Sequence, residues 1–277
     1  MTINRREAIT LVGLDEKVFN NFFRTAGEFS CLPRPGGRGF FKFDDGELKA
    51  WRASYDWRTV ELTLDDYKLC LDFALAQHFR GYVVSDWSSA RQREFGQKVT
   101  NWVKGQLGEV AFAKFIEREF GVKLELDFNI YDEIVPQDVI GVIENGQSRQ
   151  PKIGIGIKAS KPKSAYLVLT EDEVNLAKRR SDVYVFCRVD IPDDHLLRIA
   201  RDNVIEIVKD QPHYAKYSAL IPHFENIKCE IAGWCEVADL EEVTSIPGQD
   251  FSGLRLVKQS GKLNRTKADW ARVLDRL

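Results

Sequence analysis

Lys158 stands near the end of a run, Ile153-Gly154-Ile155-Gly156-Ile157-Lys158-Ala159-Ser160, in which three isoleucines alternate with Gly, Gly and Lys. Successive side chains of a strand point to opposite faces, so the isoleucines share one face and Lys158 takes the other. The glycines leave the lysine's face without bulk, which suits a place where a ligand or metal approaches the backbone closely. Upstream, residues 135–143 form a second strand-like run that includes Pro136-Gln137-Asp138. The polar stretch between the two carries the Asn145-Gly146 hairpin signal. A hairpin symmetric about Ser148 sets Asp138 directly opposite Lys158, and opposed residues of an antiparallel pair share a face. A carboxylate and an ammonium then meet at one end of a two-stranded ribbon.

A third group lies on the longest helical pattern of the chain, residues 89–120. Phe95, Val99 and Trp102 recur there at helical spacing and Glu109 continues their line. A carboxylate on an apolar stripe needs a partner or a metal.

Pro136-Gln137-Asp138, Gly156-Ile157-Lys158 and Gly105-Gln106-Leu107-Gly108-Glu109-Val110-Ala111 together resemble the PD-(D/E)xK nuclease superfamily, which contains most type II restriction endonucleases. The resemblance covers roughly residues 88–190. It implies an α/β fold with a restriction-endonuclease-like core, a mixed central sheet flanked by helices, carrying N- and C-terminal extensions. It also implies roles: Asp138 as a metal ligand, Ile157 as donor of a backbone carbonyl, Lys158 as the catalytic lysine and Glu109 as the acid of the first core helix. The metal implied is Mg²⁺, with Mn²⁺ able to substitute. The substrate implied is double-stranded DNA, cut at a specific sequence by a homodimer, because a palindromic site has twofold symmetry.

Where the family's second acid stands, this chain has Gly156. Glu173 is the candidate replacement, in the first turn of a following helix. Thr170-Glu171-Asp172-Glu173 is equally a capping box, and a cap alone would explain Glu173. Two alternative functions follow from the glycine: a catalytically degenerate DNA-binding subunit, or a repair or RNA-processing nuclease on the same core.

The elements around these residues are legible by pattern. An amphipathic stretch over residues 7–26 precedes a Pro/Gly-dense loop at 32–39. Residues 40–63 read as short β or irregular structure rich in aromatic and basic residues. Arg34, Arg38, Lys42 and Arg52 could grip DNA there, though ordinary packing explains the segment equally well. Lys161 and Lys163 add a basic turn after Lys158, and Lys178, Arg179 and Arg180 a further basic run. Thr63 starts a helix to about Phe79, Gly121 caps the long helix, and 123–131, 165–169 and 181–189 read as strands. A helix near 198–208, a strand near 227–234, a helical 236–243 and a terminal helix from Thr266 complete the chain. These elements divide it into an N-terminal extension (1–84), the core (85–190) and a C-terminal extension (191–277).

Composition narrows the classes. With 44% hydrophobic and 30% charged residues in 277, the chain is globular in type, and a net charge of −2 gives no global nucleic-acid signature. Five cysteines without a C-x-x-C pair disfavour a disulfide framework and a zinc finger. The four histidines show no paired ligand spacing, and no Walker loop, G-x-S-x-G or dinucleotide fingerprint occurs. The lack of an apolar stretch near eighteen residues predicts a reduced, cytoplasmic protein without a membrane partner.

Overall fold

Gly13, in the left-handed region at φ +62°, closes the first helix by donating its N–H to the Ile9 carbonyl. The 7–26 stretch is therefore not one helix. In the computed structural model, which describes residues 1–32, 41–80, 95–130, 138–177 and 179–277, strand β1 (Thr2–Asn4) leads into α1 (Arg5–Val12) and, after a short turn, α2 (Glu16–Asn21). Asp15 caps α2 through the backbone N–H groups of Lys17 and Val18, and α2 runs on into a π-helical turn, Phe22–Ala26. Strand β2 (Lys42–Asp44) pairs antiparallel with β1.

The following residues form a helix, α3 (Asp45–Trp57), where short β or irregular structure is expected from their aromatic content. Asp44 caps it through the Glu47 N–H, and Leu48, Trp51 and Tyr55 repeat at helical spacing toward one core. Ala8, Val12, Phe19, Phe22, Phe29, Phe43, Leu48 and Trp51 fill that core. The aromatic residues of the segment are thus packing groups.

Strand β3 (Thr59–Leu62), helix α4 (Leu64–Arg80) and helix α5 (Phe95–Phe120) come next. Gly121 ends α5 at φ +69° as its sequence indicates. Strand β4 (Lys123–Leu126) is shorter than the 123–131 alternation suggests. It pairs with β5 (Val139–Glu144), which turns at Asn145-Gly146, both at positive φ, into β6 (Gln147–Arg149). The tight turn is thus centred on Asn145-Gly146, not Ser148. Its partner strand is β6, so Asp138 and Lys158 are not cross-strand partners. Asn and Gly tolerate the positive φ of a two-residue turn, and that local preference decides the register.

Lys158 lies on β7 (Ile155–Ser160), followed by β8 (Tyr166–Thr170), α6 (Glu171–Asn175) and β9 (Val183–Val189). Helix α6 stops at Asn175, short of the basic run. After the short helices α7 (His195–Ile199), α8 (Arg201–Val208) and α9 (Tyr214–Ser218) comes β10 (Ile227–Glu236). The expected helix over 236–243 is instead one 3₁₀ turn and β11 (Glu241–Ile246), which forms a hairpin with β12 (Gln249–Gln259) before α10 (Lys267–Leu274).

The central sheet has the order β3-β10-β9-β7, with β7 parallel to β9 and the other pairs antiparallel. Two of its four strands come from outside residues 85–190, so the sheet and its apolar core cross the expected domain boundaries. Ile155, Ile157, Val185 and Cys187 pack with α4, α5 and α10 on one face, while Tyr184 and Phe186 join Leu167, Leu169 and Leu256 of a second sheet, β11-β12-β8, on the other. The fold is mixed α/β with several sheets. No helix among the described residues is long and apolar enough to cross a membrane.

Candidate active site

Among the described residues β7 is an edge of the central sheet, and the start of β5 touches its free side. Asp138 donates its N–H to the Ile155 carbonyl at 3.4 Å and accepts the Ile157 N–H on Oδ2 at 2.5 Å. The N–H and C=O of one strand residue point toward the same edge, so the Ile157 carbonyl faces the Asp138 side as well. Pro136 lies outside the described residues.

Helix α5 brings the second acid. A side chain at Gly108 would meet the Ala159 and Cys187 Cβ atoms at 2.9 and 3.4 Å, so the glycine lets α5 lie directly on β7 and β9. Glu109 follows it and accepts the Gln106 amide at 2.7 Å. Burial and the negative charge of Asp138 push Glu109 well above the ordinary carboxylate range, against weaker help from Gln106 and Lys158. Asp138 is also raised, chiefly by burial, with Lys158 and the Ile157 N–H opposing.

Lys158 points to the other face, where its Nζ meets Glu173 Oε1 at 2.6 Å. Desolvation opposes its charge, but Glu173 and Asp138 outweigh that and hold the lysine above its usual value. Glu173 is lowered: burial works against ionisation, and Lys158 overcomes it. Its Oε2 accepts the Thr170 N–H and hydroxyl at 2.8 and 2.9 Å, so Glu173 is at once the capping-box residue and the partner of Lys158. Both of its oxygens are engaged.

Gly156 has no room for an acid. A Cβ there would meet Ser181 Oγ at 2.8 Å and the Tyr184 ring at 3.1 Å. Tyr184, its parallel neighbour on β9, covers the glycine and donates its hydroxyl to the Glu173 carbonyl at 2.7 Å. The volume of the missing acid is filled by an aromatic ring that anchors the helix carrying Glu173. Tyr184 has no sequence signal beyond its place on a buried strand.

Asp127 is a further acid that strand-pattern reading misses. It accepts the Asn129 N–H and side-chain amide at 3.0 and 2.8 Å and raises both Glu109 and Asp138 electrostatically. Asp-Phe-Asn after a strand is an Asx-turn pattern, and that local signal could have identified it.

Glu173 and Asp138 thus act on the Lys158 ammonium, which Glu109 also feels, while Asp127 acts on Glu109 and Asp138. The donor set suits a hard divalent cation: carboxylate oxygens and a carbonyl, with two half-buried acids whose mutual repulsion such a cation would relieve. Among the described residues no three His, Cys, Asp or Glu side chains stand together at ligating distance. Asp138, Glu109 and the Ile157 carbonyl are the oxygens that would hold a divalent cation if one binds here, with water completing its shell.

Only some of the expected basic residues come together. Lys161, paired with Asp193 at 3.7 Å, Lys163 and Arg52 line a groove of about 1150 Å³ between the N-terminal unit and the core, together with Lys104 and Lys228. Arg52 is bound to Asp56 and the Val12 carbonyl. Lys42 is exposed on β2. Arg34, Arg38 and Lys178 lie outside the described residues.

The Glu173→Gln variant separates the two jobs of that side chain. It keeps acceptors for Thr170 but removes the charge facing Lys158. Cleavage is expected to fall roughly 10- to 100-fold, on the order of 1–3 kcal/mol for a lost charged hydrogen bond, while the melting temperature changes little. Unchanged cleavage would leave Glu173 a helix cap only.

No family model, no curated protein sequence and no solved structure matches this chain.

Proposed function

We propose that the protein is a divalent-metal-dependent endonuclease that hydrolyses phosphodiester bonds of double-stranded DNA, of the type II restriction kind. The observation that carries this reading is the electrostatic coupling of Glu109, Asp138 and Lys158, from three segments of the chain, around strand β7. A bound Mg²⁺ or Mn²⁺ would supply Lewis acidity at the scissile phosphate. Asp138, fixed by the Ile157 N–H, and Glu109, fixed by Gln106, hold oxygens in place on the sheet edge. Lys158, oriented by Glu173, presents a permanent positive charge to the phosphate oxygens as negative charge builds on them. A twofold-symmetric site would be met by two copies of the chain.

The test is a purified protein incubated with unmodified plasmid DNA and Mg²⁺ or Mn²⁺. Cleavage that stops with EDTA supports the reading, and a single fixed cut sequence supports the restriction type. Complete inertness across several DNAs and metals would favour a degenerate DNA-binding subunit. That alternative has one observation in its favour: Gly156 lacks the acid, and both oxygens of its substitute already have partners.

A further inference from the structure

We infer that Tyr184 is a positioning residue, a strut between two sheets that holds Glu173 against Lys158 and thereby aims the ammonium at the reacting phosphate. Its catalytic consequence rests on the nuclease reading, whereas the strut rests on geometry. Lys158 and Glu173 belong to different layers. Lys158 is on β7 of the central sheet, while Glu173 sits in the first turn of α6, directly after β8 of the β11-β12-β8 sheet. Their contact, 2.6 Å from Nζ to Oε1, therefore depends on the spacing of the two layers. Both side chains are partly exposed, and such a pair gains little by itself, so it does not set that spacing.

The helix that carries Glu173 does not set it either. Helix α6 has five residues, of which Val174 is buried, and a helix of that length does not persist without outside contacts. Its capping box binds the Glu173 side chain to Thr170, the last residue of β8. The box thus fixes Glu173 relative to its own sheet and leaves its distance from β7 open.

Tyr184 makes the connection to the central sheet. It is buried on β9, in register with Gly156 of β7. Its hydroxyl donates to the Glu173 main-chain carbonyl at 2.7 Å and accepts the Ser181 N–H at 3.2 Å. A backbone N–H only donates and a carbonyl only accepts, so the phenol proton belongs on the Glu173 side. The place of the ring depends in turn on residue 156. A Cβ there would come within 3.1 and 3.2 Å of the Tyr184 ring and 2.8 Å of Ser181 Oγ, so a side chain at 156 would push the hydroxyl off the Glu173 carbonyl. The glycine makes room for the ring, the hydroxyl holds the helix, and the helix presents its carboxylate to Lys158. An acid at 156 and the tyrosine strut exclude each other.

The experiment compares wild type, Tyr184→Phe, Glu173→Gln and the double variant, with Gly156→Ala as a second way to displace the ring. Tyr184→Phe removes one oxygen and keeps the packing, so its melting temperature should fall by only about 2–4 °C. One readout needs no cleavage: the rate at which acetic anhydride acetylates Lys158, followed by mass spectrometry against the exposed Lys123 in the same sample. Freed from Glu173, Lys158 should be labelled about three- to tenfold faster in Tyr184→Phe, in Gly156→Ala and in Glu173→Gln. The other readout is cleavage. In Tyr184→Phe kcat should fall about five- to tenfold with KM for DNA unchanged. Adding Tyr184→Phe to Glu173→Gln should cost nothing further, because the hydroxyl acts through that carboxylate. Wild-type labelling of Lys158 in Tyr184→Phe would overturn the proposal, as would losses that multiply in the double variant, the pattern of two independent structural contributions. If Tyr184→Phe does not fold, the labelling of Gly156→Ala decides in the same way. If labelling shifts as expected yet wild type never cuts DNA with Mg²⁺ or Mn²⁺, the strut stands and the nuclease reading falls.

Discussion

Replacing Asp138 by Asn is expected to lower metal-dependent cleavage by roughly 10²–10³-fold, the loss seen when one electrostatic group is taken from a transition state. The amide oxygen can still accept the Ile157 N–H, so the start of β5 stays docked on β7. What disappears is a half-buried negative charge. That charge is one of the causes raising Glu109, so its removal should bring Glu109 back toward the ordinary range and leave the metal-free protein at least as stable. Metal affinity measured by calorimetry should weaken in the same variant. Lys158→Met should lose a comparable factor by a different route: the rate at saturating DNA falls while metal binding persists. Glu173 would then keep its cap but face no cation. A wild-type rate in either variant would remove that residue from the catalytic set, and an unfolded variant would mark the pair as structural.

The second large effect concerns Arg188, and it is on stability. This guanidinium is fully buried and bonds Glu230 at 2.8 Å, Glu28 at 2.9 Å and the Ser164 carbonyl at 2.8 Å, with its charge 4.3 Å from the Phe22 ring centroid. Glu230 also pairs with Arg58 at 2.7 Å, and Glu28 with Arg265. The network ties the N-terminal unit to β9, β10 and the turn after β7. Removing one member of such a set leaves uncompensated charge in the interior, at a cost of about 3–5 kcal/mol. Arg188→Met is therefore expected to lower the melting temperature by about 10 °C, taking 2–4 °C per kcal/mol for a chain of this size class. A shift of a degree or two would show that water reaches the site and screens it.

The same network sets an acid limit. Burial works to raise Glu28, but Arg188, Arg265 and Arg58 outweigh it and hold the carboxyl far below its ordinary value of 4.5. A depressed folded-state value gives stability that is present above the unfolded value and lost as pH falls toward the folded one. Wild type should therefore lose stability steadily below about pH 4.5, and Glu28→Gln should start lower and show a flatter acid limb. Equal acid slopes in the two proteins would assign the acid sensitivity to other carboxylates.

Local signals carried much of this molecule. Period-two alternation marked β7, a continuous apolar run marked β9, the residues Thr63, Thr170 and Thr266 marked the starts of α4, α6 and α10, and Gly121 marked the end of α5, because each depends on neighbours a few residues apart. Lys158, Asp138 and Glu109 stood out as chemistry-bearing residues for the same reason: a charge on an apolar pattern is visible in one dimension. Their convergence was not fixed by a hairpin register, as the symmetric pairing supposed. It arises because, among the described residues, the pairing of β9 with β10, a strand some forty residues further on, leaves β7 at the sheet edge, and because Gly108 lets α5 settle against Ala159. The α3 segment misled because aromatic residues favour strands on average, whereas here Asp44 and a shared apolar core decide for a helix. Gly156 looked like a missing ligand in the sequence. Only the tertiary structure, by laying Tyr184 over it and hanging Glu173 on Lys158, decided what occupies that space, since volume and charge balance are settled among residues that are distant along the chain and adjacent in space.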